Sequence, residues 1–281
     1  MEEYLKFLEN KKQCRINSGF SIDYSELNDK LFDFQKYCIK RALECGKFAL
    51  FEDCGLGKTF QQLEWSHHVS MKINKPVLIL APLGVVPQTI QEGLKFGYKI
   101  EELGLTVFDQ DLQEGVYITN YDNIDNIDCS LFGGIVLDES SILKNFDGKT
   151  KQKIIDEFKN TPYKLACTAT PSPNDTMELC NHAEFLDVMT RNEMLAMYFV
   201  HDGGSTSSWR LKGHAKRSFW DFVSTWAVML SNPEDIGFDG SKYILPSLNI
   251  IEEQVTTAKR DNGMLFNDMA VSATTFHSEL R

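Results

Sequence analysis

Five short apolar runs punctuate the chain between Phe48 and Cys167: Phe48-Ala49-Leu50-Phe51, Val77-Leu78-Ile79-Leu80-Ala81, Val116-Tyr117-Ile118-Thr119, Ile135-Val136-Leu137 and Leu165-Ala166-Cys167. Their apolar positions are continuous rather than alternating, which predicts strands buried on both faces, as in a parallel sheet. Between the runs the spacing changes. Phe34, Cys38, Ala42 and Cys45 fall three or four apart while Lys36, Lys40, Arg41 and Glu44 take the other side, which predicts an amphipathic helix ending at Gly46. Thr59 to Met71 and Lys149 to Phe158 repeat that pattern. Strands alternating with helices predict a doubly wound α/β domain, with its ligand site at the carboxyl ends of the strands.

After Asn174 the texture shifts. Met177 to Met189 has a helical apolar face, Gly203 to Ser208 is a polar loop, and Trp209, Arg210, Lys212, His214, Lys216 and Arg217 form a basic stretch. Phe219 to Leu230 is expected to be a helix closed by Asn232-Pro233, and Leu245-Pro246 introduces an extended Leu248 to Ile251. The residues beyond Pro246 are too few for a second α/β domain.

Composition narrows the class. With 281 residues, 42% of them hydrophobic and 25% charged, the chain is globular. No apolar run approaches the roughly 18 to 20 residues of a membrane span, and the acidic, amphipathic N-terminus is not a signal peptide. Seven cysteines without a C-x-x-C pair argue against a disulfide or zinc framework and for a cytoplasmic protein. The net charge of −11 argues against coating nucleic acid by bulk charge and leaves room for a local basic groove.

The strongest chemical signal is Cys54-Gly55-Leu56-Gly57-Lys58-Thr59, directly after the first run and opening the next helix. Small residues there let backbone N–H groups surround a polyphosphate; Lys58 would reach the β and γ phosphates and Thr59 would ligate Mg²⁺. Glu52 departs from the pattern, standing at its first glycine. Gly148-Lys149-Thr150 carries the same tripeptide without a preceding strand and reads as a helix start. The second signal is Asp138-Glu139 at the end of the fourth run: one carboxylate can hold the Mg²⁺ shell while the other orients or deprotonates water. Together the two point to nucleoside triphosphate hydrolysis. The third, Thr168-Ala169-Thr170-Pro171, puts hydroxyls at a neighbouring strand end where they could sense the γ-phosphate, although alone it is a polar turn before proline.

In this order the motifs resemble those of superfamily 2 helicases and translocases, within them the SWI/SNF-like (DEAD/DEAH-like) group. Leu31 to Gln35 is similar to the Q-motif, Asp53 to Thr59 to motif I, Leu80-Ala81-Pro82 to motif Ia and Val116 to Tyr121 to motif Ib. Asp138 to Asn145 resembles motif II and Thr168 to Asn174 motif III. The resemblance covers about residues 30 to 190 and extends to compact phage-encoded helicases. It implies a RecA-like P-loop NTPase domain, a mostly parallel sheet flanked by helices, over residues 31–188. An N-terminal helical or extended segment (1–30) would precede it. A helical extension with a polar and basic loop (189–245) and a linker stub towards a second lobe (246–281) would follow.

The resemblance further implies an ATP- and Mg²⁺-dependent DNA-dependent ATPase, duplex DNA favoured, in the cytoplasm of a bacterial or phage-infected cell. Gln35 would contact adenine, Lys58, Asp138 and Glu139 would be catalytic, and Thr168 and Thr170 would couple hydrolysis to movement. Pro82, Thr119, Asn120 and Tyr121 would touch phosphates, with Arg210 and Lys212 as further contacts. Ser141 stands where many relatives carry histidine, which puts coupling in doubt. The family also needs a second RecA-like lobe supplying arginine fingers, so this chain is expected to hydrolyse ATP weakly by itself. A nucleotide-gated module that recruits another DNA-processing protein is the alternative. A small-molecule kinase would leave Thr168 to Pro171 and Asn174 without a role.

Other candidates carry less. His67-His68 lack metal-ligand spacing, Asp122, Asp125 and Asp128 fail the spacing of a calcium loop, and Cys54 could be redox-sensitive only if exposed. Trp209, Trp220 and Trp226 are expected to pack in the core rather than stack on bases.

Overall fold

In a computed structural model, residues 18–104, 112–144, 148–201 and 209–243 are described. Asn145, the polar loop at 203–208 and the segment from 246 onward lie outside them. Among the described residues nine strands are formed: β1 Lys47–Glu52, β2 Pro76–Ala81, β3 Ile100–Glu102, β4 Gly115–Asn120, β5 Gly134–Asp138, β6 Tyr163–Thr168, β7 Phe199–His201, β8 Trp209–Leu211 and β9 Ala227–Leu230. Seven make one sheet in the order β3-β4-β2-β5-β6-β1-β9. Every pairing in it is parallel.

The helices are α1 Asp33–Cys45, α2 Lys58–Ile73, α3 Val86–Phe96, α4 Lys149–Glu157, α5 Leu179–Phe185, α6 Arg191–Tyr198 and α7 Lys216–Trp226. Both sheet faces are covered, which explains the unbroken apolar runs. Phe48, Leu50, Ile79, Ile118 and Leu165 pack with α1 and α2 on one side. Ala49, Phe51, Leu78, Leu80, Leu137 and Ala166 pack with α4, α5, α6 and α7 on the other. α1 stops where predicted, at Gly46, whose φ of 74° suits a residue without Cβ. Leu27 and Leu31, just before α1, are buried in the same core.

Two expectations are corrected. Phe219 to Leu230 is not one helix: α7 ends at Trp226, and Ala227 to Leu230 extends along β1 as its parallel neighbour. Edge pairing with β1 overrides a helical periodicity that continues locally through Leu230, because tertiary context outweighs intrinsic propensity. Hence 189–245 is not solely a helical extension; it supplies β9 to the central sheet and the antiparallel β7–β8 hairpin. Met177 to Met189 is likewise interrupted. A 3-10 turn at Thr176–Glu178 precedes α5, and α6 starts afresh at its Thr190 cap, whose hydroxyl accepts from Glu193 N–H at 3.3 Å.

No helix among the described residues is long and apolar enough to cross a membrane.

Candidate nucleotide and coupling site

The site is assembled at the carboxyl ends of β5, β6 and β1, three neighbouring strands. β1 ends at Glu52, and the turn through Asp53 to Gly57 leads straight into α2. Gly55 and Gly57 have φ of 89° and 83°, a left-handed conformation that costs side-chain-bearing residues energy. A Cβ on Gly55 would meet nothing, so that face of the loop is open, whereas one on Gly57 would run into the Gln35 amide. Leu56 is buried and anchors the turn, while Cys54 is exposed. The amino end of α2 thus faces the open loop with the polarity that favours anions. The Lys58 ammonium donates to the carbonyls of Glu52 at 2.7 Å and Asp53 at 3.0 Å.

Beneath the loop lies an acid. Glu52 is fully buried, and its Oε2 accepts from Gln61 Nε2 at 2.6 Å. Burial pushes its carboxyl up to about 7, against the opposing pull of the Gln61 hydrogen bond and the Lys58 charge. Gln35, implied as an adenine contact, is buried against the same loop. Its Nε2 donates to Leu56 O at 2.8 Å, and its Oε1 accepts from Phe32 N–H at 2.9 Å.

Asp138 ends β5 and Glu139 follows with φ of 59°, left-handed without being glycine. Thr168 at the end of β6 donates from its hydroxyl to Glu139 Oε1 at 2.7 Å and accepts from Thr170 N–H at 3.0 Å. The second and third sequence signals are therefore joined by one hydrogen bond, which the Thr170 N–H extends within the third. Burial lifts the Asp138 carboxyl to about 6, opposed by the Gln62 amide and Lys58 and assisted by the Glu139 charge. Ser141 is half-buried in the 3-10 turn Ser140–Lys144. Thr59, half-buried in the first turn of α2, and Asp138 offer hard oxygen donors of the kind Mg²⁺ prefers, so these residues fit that ion.

The residues assigned to nucleic acid divide. Pro82, at the end of β2, is half-buried beside an exposed Leu83. Thr119 and Tyr121 turn inward: Thr119 accepts from Asn123 Nδ2 at 3.1 Å, and the Tyr121 hydroxyl donates to Asp138 O at 2.8 Å. Asn120 uses its Oδ1 to accept from Asp122 N–H at 2.9 Å. On the β7–β8 hairpin Arg210 is exposed, whereas Lys212 donates to the carbonyls of Ala196 at 2.8 Å and Met197 at 3.1 Å, closing α6. Trp226 is buried as expected, but Trp220 is 42% exposed, and Trp209 lies half-buried against the His201 ring.

Sequence reasoning missed Asn181 and His182 on α5. Asn181 donates to the carbonyls of Leu143 at 2.8 Å and Lys144 at 3.1 Å. His182 meets Ser140 with 3.2 Å between Nε2 and Oγ. A polar pair inside a short apolar helix carries no motif that would reveal it.

The fold is RecA-like, a parallel sheet flanked by helices on both faces. Among solved structures, the chain is similar to the SWI2/SNF2 ATPase core of Sulfolobus solfataricus in complex with double-stranded DNA, with a TM-score of 0.58 and 21% identity, covering 75% of this chain and 46% of that one. It is also similar to the UvsW helicase of bacteriophage T4, with a TM-score of 0.51 and 15% identity over 68% of this chain and 76% of that one. In sequence it is 30% identical over 176 residues to protein p41 of Acyrthosiphon pisum secondary endosymbiont phage 1, covering 55% of this chain and 38% of that protein. The chain thus spans less than half the length of that phage protein and of the SWI2/SNF2 core. No family model matches it.

Proposed function

We propose that this chain is the ATP-binding and ATP-hydrolysing lobe of a DNA-dependent helicase or translocase, working with a second RecA-like lobe. The observation that carries the reading is the hydrogen-bonded line from Thr170 through Thr168 to Glu139 beside a glycine loop that holds Lys58. A carboxylate for a metal and a second carboxylate to orient water, held by the Thr168 hydroxyl at a neighbouring strand end, suit phosphoryl transfer to water.

In this reading the Gly55 to Lys58 amides and the Lys58 ammonium bind the phosphates, the ammonium leaving its carbonyls on Glu52 and Asp53. Thr59 and Asp138 would hold Mg²⁺, which when bound would neutralise phosphate charge. Glu139 takes a proton from the attacking water on its carboxylate while Thr168 fixes Oε1, and Thr170 moves when that hydrogen bond changes. Duplex DNA would lie along Pro82 and Asn120, with Arg210 reaching it from the hairpin; Thr119 and Tyr121 would position that surface from within. Similarity to the duplex-bound SWI2/SNF2 core and to a phage protein supports DNA as the track and a phage-infected bacterial cell as the setting.

The test is ATP hydrolysis by the chain with and without duplex DNA, against Lys58→Ala and Glu139→Gln. DNA-stimulated turnover lost in both variants is expected. Tight ATP binding with DNA-insensitive, negligible hydrolysis would favour the recruiting module instead. Hydrolysis untouched by Lys58→Ala would refute the site.

A further inference from the structure

Glu139 bears the water-orienting carboxylate on a left-handed backbone, φ 59°, that a glutamate does not favour. Such a conformation persists only where its surroundings over-determine it. Thr168 restrains the side chain from one direction. The following residue is restrained from another: Ser140 is fully buried, and its hydroxyl lies 3.2 Å from Nε2 of His182. His182 is itself fully buried, and its ring stands edge-on to Phe51, the penultimate residue of β1, with centroids 5.0 Å apart. Burial lowers this imidazole to about 4, so it is neutral and forms a hydrogen bond rather than an ion pair. Its neighbour Asn181 holds the Leu143 and Lys144 carbonyls, so α5 clasps the segment after Glu139 at both ends.

We propose that His182 is a positioning residue for hydrolysis, bridging Phe51 below the phosphate loop to Ser140 and so fixing the turn that aims Glu139. The inference rests on the hydrolytic reading of the site. Because His182 touches neither nucleotide nor metal ligand, its loss should spare nucleotide binding and lower the rate of the chemical step.

The experiment compares wild type with His182→Leu, which keeps apolar bulk, His182→Gln, which keeps a polar end, Ser140→Ala, and the Ser140→Ala/His182→Leu double variant. ATP turnover on duplex DNA, KM for ATP and melting temperature are measured for each. A catalytic carboxylate displaced by about 1 Å can cost on the order of a hundredfold in rate, so kcat in His182→Leu and Ser140→Ala should fall by about ten- to a hundredfold. KM for ATP should stay within about threefold, the double variant should be no slower than the worse single, and His182→Gln should recover part of the rate. Unchanged kcat, additive losses, a rise in KM that accounts for the whole effect, or losses that track melting temperature would overturn it. Should wild type hydrolyse no ATP, the hydrolytic reading itself falls. Amide exchange at residues 139–144 then decides the positioning claim: faster exchange confined to that turn in His182→Leu supports it, and unchanged exchange overturns it.

Discussion

Replacing Glu52 with glutamine should change how stability depends on pH more than it changes shape. The amide matches the carboxyl in size and can still accept from Gln61, whose Nε2 lies 2.6 Å from Oε2. Burial carries this carboxyl from the ordinary 4.5 of a glutamate to about 7 in the folded chain. The folded state therefore holds its proton more tightly than the unfolded state does. The contribution of this group to stability is greatest below pH about 4.5, falls as pH rises through the window from 4.5 to 7, and levels off above it. At about 1.4 kcal/mol for each tenfold change in proton affinity, the penalty at slightly alkaline pH is about 3 kcal/mol. The assay is urea unfolding across that window, read from midpoints at constant slope. Glu52→Gln should match wild type near the acid end and exceed it by about 3 kcal/mol above neutrality. Asp138, raised to about 6 in the same direction, contributes its slope to both proteins and so cancels from the comparison. Parallel stability curves for the two proteins would refute the reasoning.

Three further outcomes follow from the same geometry. Lys58→Ala should abolish measurable ATP affinity, whereas Glu139→Gln should retain binding while hydrolysis falls by about 10² to 10⁴, a separation that equilibrium binding and turnover assays read directly. Tyr121→Phe removes the donor to the Asp138 carbonyl and should cost about 1 kcal/mol in denaturant unfolding without weakening ATP binding. Trp226→Ala should cost about 3 to 5 kcal/mol as a core deletion, whereas Trp220→Ala, at a site 42% exposed, should leave the unfolding midpoint nearly unchanged.

The strands that carry chemistry were legible because both of their faces are buried, which leaves unbroken apolar runs. β3 was not: Ile100–Glu102 is three residues long with both glutamates exposed, too short to register as a run. β9 was hidden for another reason. Ala227 to Leu230 continues the spacing of α7 without a glycine or proline, and only the open flank of β1 decides its conformation. Lys58, Asp138, Glu139, Thr168 and Thr170 were singled out by their spacing along the chain, and the structure brings them to the ends of the neighbouring strands β5, β6 and β1. Thr119, Tyr121 and Gln35 follow the motif spacing too, but spacing does not reveal their internal hydrogen bonds to Asn123, Asp138 and Leu56. His182 lay beyond reach because its partnership with Ser140 exists only after α5 packs.

The place of β1 within the sheet has a consequence for the order in which the molecule can be built. Among the described strands β1 is made first, but its two neighbours, β6 and β9, are made fourth from last and last. During synthesis the strand that leads into the phosphate loop must wait, both flanks unpaired, while most of the lobe emerges. A non-local closure of this kind slows folding and prolongs the exposure of an apolar strand. Competence to bind nucleotide should therefore arise late and together with the closing of the sheet, so that a nascent chain halted before Ala227 would retain most of its helices and yet present an open edge at its phosphate loop.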